Sequence, residues 1–231
     1  TNNINDLRIL LKLGAIDNTG SPISNLSPRN ITEITDRYLA SLGENLKTIS
    51  IHWDNRGEEG EDLIKITNTL QTLKKYLSES RDLGLSGIKY PKIYYESEEF
   101  IGNWIIQVKE NIFTSKDRRR YGASITGAKY IAYGINAKTI TSPQIKDSIY
   151  ETFYASNIEF VEALNIRDFF DLSLLYANCN QSLDGFIIAP SNINQLKKTL
   201  STMLSIDKAS IDGKDKLKYF KHIKSIASNY K

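Results

Sequence analysis

Leu46-Lys47-Thr48-Ile49-Ser50-Ile51-His52-Trp53 is a short apolar run of strand type that delivers His52, one of two histidines, to its carboxyl end. In parallel α/β proteins ligands bind in the crevice beyond the carboxyl ends of the strands. His52 is therefore the first candidate for a working residue, and the rest of the chain is read outward from it.

Upstream, Arg8 to Leu13 reads as a strand, followed by a turn region from Gly14 to Pro28. Asn30 and Glu33 form a capping-box-like helix start, Ile31, Ile34, Tyr38, Leu39 and Leu42 share one face, and Gly43 ends the helix. Downstream, Leu63, Ile66, Leu70, Leu73 and Leu77 give a second amphipathic helix. Asp82 to Gly87 and Trp104 to Lys109 read as strands, with a short covering helix expected between Pro91 and Gly102. A helix-like stretch begins at Arg118 and leads to a strand at Lys129 to Gly134. Ser142-Pro143 caps a helix carrying Ile145, Ile149 and Phe153, and Phe169, Leu172, Leu175 and Tyr176 mark another. Asp184 to Pro190 reads as the last strand, followed by a helix capped by Ser191-Asn192 with Leu196, Leu200 and Leu204 on its stripe.

Six strand-helix units without hairpin signals argue for parallel strands with helical crossovers. A closed (β/α) barrel accounts for so many repeats better than an open doubly wound sheet, the runner-up. No G-x-G-x-x-G follows a strand, which disfavours a Rossmann dinucleotide site. The expected organisation is one domain over 1–231, with 205–231 as a helical tail.

Composition narrows the function classes. At 231 residues with 40% hydrophobic content the chain can bury a sizeable core. Its net charge of +3, from 30 basic and 27 acidic residues, is too mild for a nucleic-acid binder. A lone Cys179 rules out a disulfide framework within the chain and suits a reducing compartment. With no apolar run near the roughly 20 residues of a membrane span and no signal peptide at its start, the expectation is a soluble cytoplasmic protein. There is no metal-ligand spacing, nucleophile elbow or P-loop. Oligomeric state is not legible.

In chain order the strand ends read Lys12, Ile51-His52-Trp53, Gly84-Leu85-Ser86-Gly87, Gln107-Val108-Lys109-Glu110-Asn111, Ile131-Ala132-Tyr133 and Ala189-Pro190-Ser191-Asn192. That ordered series resembles the aldo-keto reductase family, whose strands end in Thr-Lys, I-H-W, G-L/V-S-N, Q-V-x-Y-N and V-I-A-Y, followed by G-A-S-S-x-x-Q-L. The resemblance runs from about Arg8 to Leu200. It implies a (β/α)8 TIM-type barrel that uses NADPH, with NADH as the alternative, to reduce a small-molecule aldehyde or ketone by hydride transfer. It assigns Lys12 and His52 to polarising the carbonyl, Ser86 and Gln107 to the nicotinamide carboxamide, and Tyr133 to the face of the nicotinamide ring. Ser191 and Asn192 match the adenosine-side phosphate site, with Gln195 and Lys197 or Lys198 one turn further on. Lysines after Ser191-Asn192 favour NADPH.

Three departures accompany the resemblance. Gly87 stands where the family has an Asn sharing the carboxamide contact, and Lys198-Thr199 replaces the Glu-Asn pair that holds adenine. The sequence begins at what matches the third strand-helix unit, so the catalytic Asp and Tyr of the first two have no counterpart in it. The alternatives are a non-catalytic or truncated barrel that binds nucleotide or a protein partner, and an unrelated phosphate-binding barrel. Asp54 and the pair Glu58-Glu59 have no assigned partner, and His222 is expected to be inert.

Overall fold

The computed structural model describes residues 7–14, 24–78, 81–91, 93–94, 104–115, 121, 127–137 and 142–230. Six strands neighbour one another in chain order, β1 (Ile9–Leu13), β2 (Leu46–Asp54), β3 (Asp82–Ile88), β4 (Trp104–Lys109), β5 (Lys129–Tyr133) and β6 (Gly185–Phe186). The ladders β1 to β2, β2 to β3, β3 to β4 and β5 to β6 are all parallel. Parallel neighbours need crossover connections, and helices supply those that follow β1, β2 and β5. The chain divides into two compact units, Thr1–Gln107 with Arg120–Lys129, and Val108–Arg119 with Tyr130–Lys231.

In the first unit, α1 (Pro28–Leu42) and α2 (Gly60–Lys74) follow β1 and β2. Strand periodicity sorts the side chains onto two faces. Leu13, Ile49, Ile51, Leu83, Leu85, Trp104 and Ile106 fall on one face and are buried, as are Ile31 of α1 and Ile66, Leu70 and Leu73 of α2. Thr48, Ser50, His52, Gly84, Ser86 and Gln107 alternate with them and share the other. The apolar face holds the unit together, and the polar face is left for other work. α1 starts at Ser27 rather than Asn30: the Ser27 hydroxyl accepts from Asn30 N at 3.4 Å and Pro28 opens the helix. Gly43, at φ 51, ends it as expected.

The second unit is mainly helical: α3 (Pro143–Ser156), α4 (Ile158–Ala163), α5 (Phe169–Cys179), α6 (Ile193–Lys208) and α7 (Gly213–Ser228). Ser142 caps α3 as the Ser-Pro signal predicts. Ile149, Phe153, Val161, Leu172, Leu175 and Ile223 belong to one core with Ala132 of β5. β6 is shorter than the expected strand, two residues with Asp184 N and Ile187 N bonding Tyr130 O and Ala132 O on either side. Pro190, without an N–H, cannot extend the ladder. The stripe read on α6 is also reversed. Leu200 and Leu204 are 51% and 57% exposed while Thr199, Thr202 and Ile206 are buried. Thr199 bonds Gln195 O and Thr202 bonds buried Asp171, so the inward threonines are satisfied. α6 runs to Lys208, and the tail carries a further helix over Gly213–Ser228.

Most of the covering helix expected at Pro91 to Gly102, and the Arg118 to Arg120 run, lie outside the described residues. No described helix is long and apolar enough to cross a membrane.

Candidate functional site

Parallel register places His52 opposite Ser86, and Ser86 opposite Gln107, so three adjacent strands present these side chains at one level of the polar face. Lys12 pairs in register with Ser50, two residues before His52, and so joins the same face. The structure thus brings Lys12, His52, Ser86 and Gln107 together within the first unit. Ser86 and Gln107 are 3% and 2% exposed. Gln107 Oε1 is fully buried without a hydrogen-bond partner among the described residues. Buried acceptors are nearly always paired, and an unpaired one costs about 1–3 kcal/mol. An exception at this level is suited to receiving a donor from a ligand.

The electrostatics of the pair are equally specific. Burial, assisted by the nearby Lys12 charge, lowers the His52 pKa to about 4, so its imidazole is neutral at ordinary pH and carries one N–H donor. Desolvation lowers Lys12 from its usual value too. The face therefore offers a neutral donor beside an ammonium, a combination suited to an oxygen that gains negative charge.

The residues just after His52 hold it in place. Trp53 adopts φ 59, rare for a bulky residue, and its indole stacks on the imidazole with centroids 4.2 Å apart. Asp54, 1% exposed, accepts from Arg56 Nε at 2.9 Å and Nη2 at 2.8 Å and from the Tyr94 hydroxyl, while Arg56 Nη1 donates to Thr69 at 2.9 Å. Asp54 thus has partners that sequence reasoning missed, although the Asp-x-Arg spacing was a signal. Gly87, itself at φ 67, explains the first departure: a Cβ there would lie 2.6 Å from Trp53 Cδ1. The indole occupies the space where a side chain at 87 would begin.

In the second unit, Tyr133 ends β5, half-buried, its carbonyl accepting from Glu110 N at 3.2 Å. Ser191, Asn192 and Gln195 meet at the start of α6. Asn192 Oδ1 accepts from Gln195 N at 3.0 Å, and Gln195 Oε1 accepts from Ser191 N at 2.7 Å. This is reciprocal capping, which commits both N–H groups. A cavity of about 490 Å³ opens beside it, lined among others by Asn136, Lys146, Asp168, Phe170, Ser191 and Lys198. Asn136 Oδ1 is another buried acceptor without a partner among the described residues. Lys198, on which the NADPH expectation leaned, is paired with Asp168 and lies 3.8 Å from Asp171. Asn136, Asp168 and Phe170 were not found from sequence, because nothing local marks them as neighbours.

The remaining candidates are structural. His222 packs on Phe153 at 5.5 Å and faces Asn157. Cys179 is buried, which pushes its thiol up to about 12 and keeps it protonated. Among the described residues no group of three His, Cys, Asp or Glu could hold a metal ion.

No protein-family profile matches the sequence, and no curated protein does. Solved structures do. An aldo-keto reductase from Bacillus halodurans in its holo form superposes with TM-score 0.61 at 15% identity, over 95% of this chain and 73% of that one. Its apo form gives 0.58 at 14% identity, covering 86% and 68%. An aldo-keto reductase from a Medee basin deep-sea metagenome library gives 0.58 at 15% identity, covering 95% and 71%. The parallel strand order and these superpositions together show that the chain has an aldo-keto reductase-like α/β fold.

Proposed function

We propose that this chain binds a nicotinamide dinucleotide and reduces the carbonyl of an aldehyde or ketone to an alcohol. The observation that most supports this reading is the buried Gln107 Oε1, without a partner among the described residues and level with Ser86 and His52 on one polar face. A carboxamide N–H is a donor that suits such an acceptor. The residues of the first unit fit the nicotinamide end of the group: Ser86 and Gln107 would hold its carboxamide. The dinucleotide supplies the hydride. The protein's own part is electrostatic: neutral His52 would donate a hydrogen bond to the carbonyl oxygen, Lys12 would supply positive charge as that oxygen becomes an alkoxide, and the alkoxide would take its proton from solvent water to give the alcohol. The fuller fold that goes with this reading is an eight-unit (β/α) barrel to which these six strands correspond.

The test is to titrate reduced nicotinamide dinucleotides while following the emission of Trp53 and Trp104, then add an aldehyde and follow oxidation of the dinucleotide. Binding followed by oxidation is expected, with His52→Gln slowing oxidation by about 10²-fold or more. Binding without oxidation reduces the reading to a nucleotide-binding protein. Absence of binding by either nucleotide overturns it.

A further inference from the structure

We propose that the outward face of α6 is the contact surface for a second copy of this chain, the two helices packing antiparallel with Leu200 of each against Leu204 of the other. The surface lies within the second unit, and its role is independent of the proposed chemistry.

α6 carries its apolar residues on the wrong side for a helix that only covers its own core. At about 100° per residue, Ile193, Leu200 and Leu204 point within about 40° of one another. They are 60%, 51% and 57% exposed, with half-buried Leu196 beside them. The opposite side of the helix holds Thr199, Thr202 and Ile206, all buried. The helix cannot turn over to hide its leucines, because Thr202 donates to Asp171 Oδ1 of α5 at 2.9 Å and Lys198 is paired with Asp168. Single exposed apolar residues are ordinary, whereas a continuous apolar stripe marks an interaction surface.

The charges beside the stripe select a second copy as its occupant. Lys197 lies three residues before Leu200, and Asp207 lies three residues after Leu204. They stand about 40° from the middle of the stripe on opposite edges, both exposed, and neither side chain pairs with another described residue. A twofold antiparallel pair that sets Leu200 against Leu204 also sets Lys197 against Asp207 of the second copy, and the reverse. A parallel pair would instead oppose lysine to lysine and aspartate to aspartate. Lys208, exposed at the helix end, stands about 60° off the stripe and outside it. The stripe is thus complementary to itself in one orientation, while a partner of uniform charge would match one edge and repel the other. A contact along one helix of 16 residues is smaller than the about 1,200–2,000 Å² of a standard interface, so the dimer is weak and concentration-dependent.

The experiment is sedimentation velocity of the whole chain from about 1 to 500 µM. A monomer to dimer equilibrium with a Kd of about 10–100 µM is expected. Leu200→Glu and Leu204→Glu alter exposed positions, so circular dichroism should stay as in the wild type while each raises Kd about ten-fold or more. Lys197→Asp or Asp207→Lys alone places like charges opposite each other and should weaken the dimer about three- to ten-fold, and the two exchanges combined should restore it. A wild type that stays monomeric to about 500 µM, or a dimer that neither folded glutamate variant weakens, overturns the inference. A dimer that the combined charge exchange fails to restore overturns the antiparallel pairing.

Discussion

Two regions carry the polar residues that the sequence marks as ligand-binding, and they differ in how much bonding capacity folding leaves over. At the start of α6, Ser191, Asn192 and Gln195 satisfy one another, so the helix accounts for their presence. On the polar face of β2, β3 and β4, His52 has no side-chain hydrogen bond to a described residue and Gln107 Oε1 has no partner among them. A motif match alone treats both regions as equal evidence. Counting donors and acceptors separates a cap from a surface whose bonds are unfinished.

The largest effect expected from that contrast is at the frame of the strand site. Asp54→Ala strands the Arg56 guanidinium and the Tyr94 hydroxyl in a buried position, and chemical denaturation should show a loss of about 3–5 kcal/mol. Next, Gln107→Leu removes an acceptor that no described residue uses. Stability should hold or rise slightly, while nucleotide affinity falls about ten-fold. A clear loss of stability would show that the side chain is already satisfied and would erase the distinction. Asn192→Ala should do the reverse, costing about 1 kcal/mol of stability through the lost cap, with Asn192→Ser recovering most of it.

The smallest effect concerns protonation. His52 binds its proton with a pKa of about 4 in the folded chain against 6.5 as the ordinary value. Between those values the unfolded chain holds more protons, so stability falls as pH drops from about 6.5 to 4 and is flat above 7. Because the ring is only half-buried, water tempers the change. Unfolding midpoints of the wild type should therefore drop over that window more than those of His52→Gln.

Much of the fold was legible because β2, β3 and β4 alternate so regularly: Ile49, Ile51, Leu83, Leu85 and Ile106 announce the buried face, and Ser50, His52, Ser86 and Gln107 fall opposite by default. The errors came where tertiary partners outweigh local pattern. Thr199 and Thr202 turn inward on α6 because a carbonyl and Asp171 await them, which leaves Leu200 and Leu204 outside. Of the partners of Asp54, Arg56 was within reach of the Asp-x-Arg spacing, while Tyr94, 40 residues away in the chain, was not. Lys198 read as a free cation because its partners, Asp168 and Asp171, are supplied by a different helix.

Trp53 and Gly87 cannot change independently. With the indole 2.6 Å from where a β-carbon at 87 would stand, most single exchanges at that glycine are blocked while the tryptophan keeps its backbone turn. The family pattern joins I-H-W to G-L/V-S-N, so a tryptophan at this place is compatible with an asparagine only where its ring is turned away, and the indole orientation found here is the one that calls for glycine.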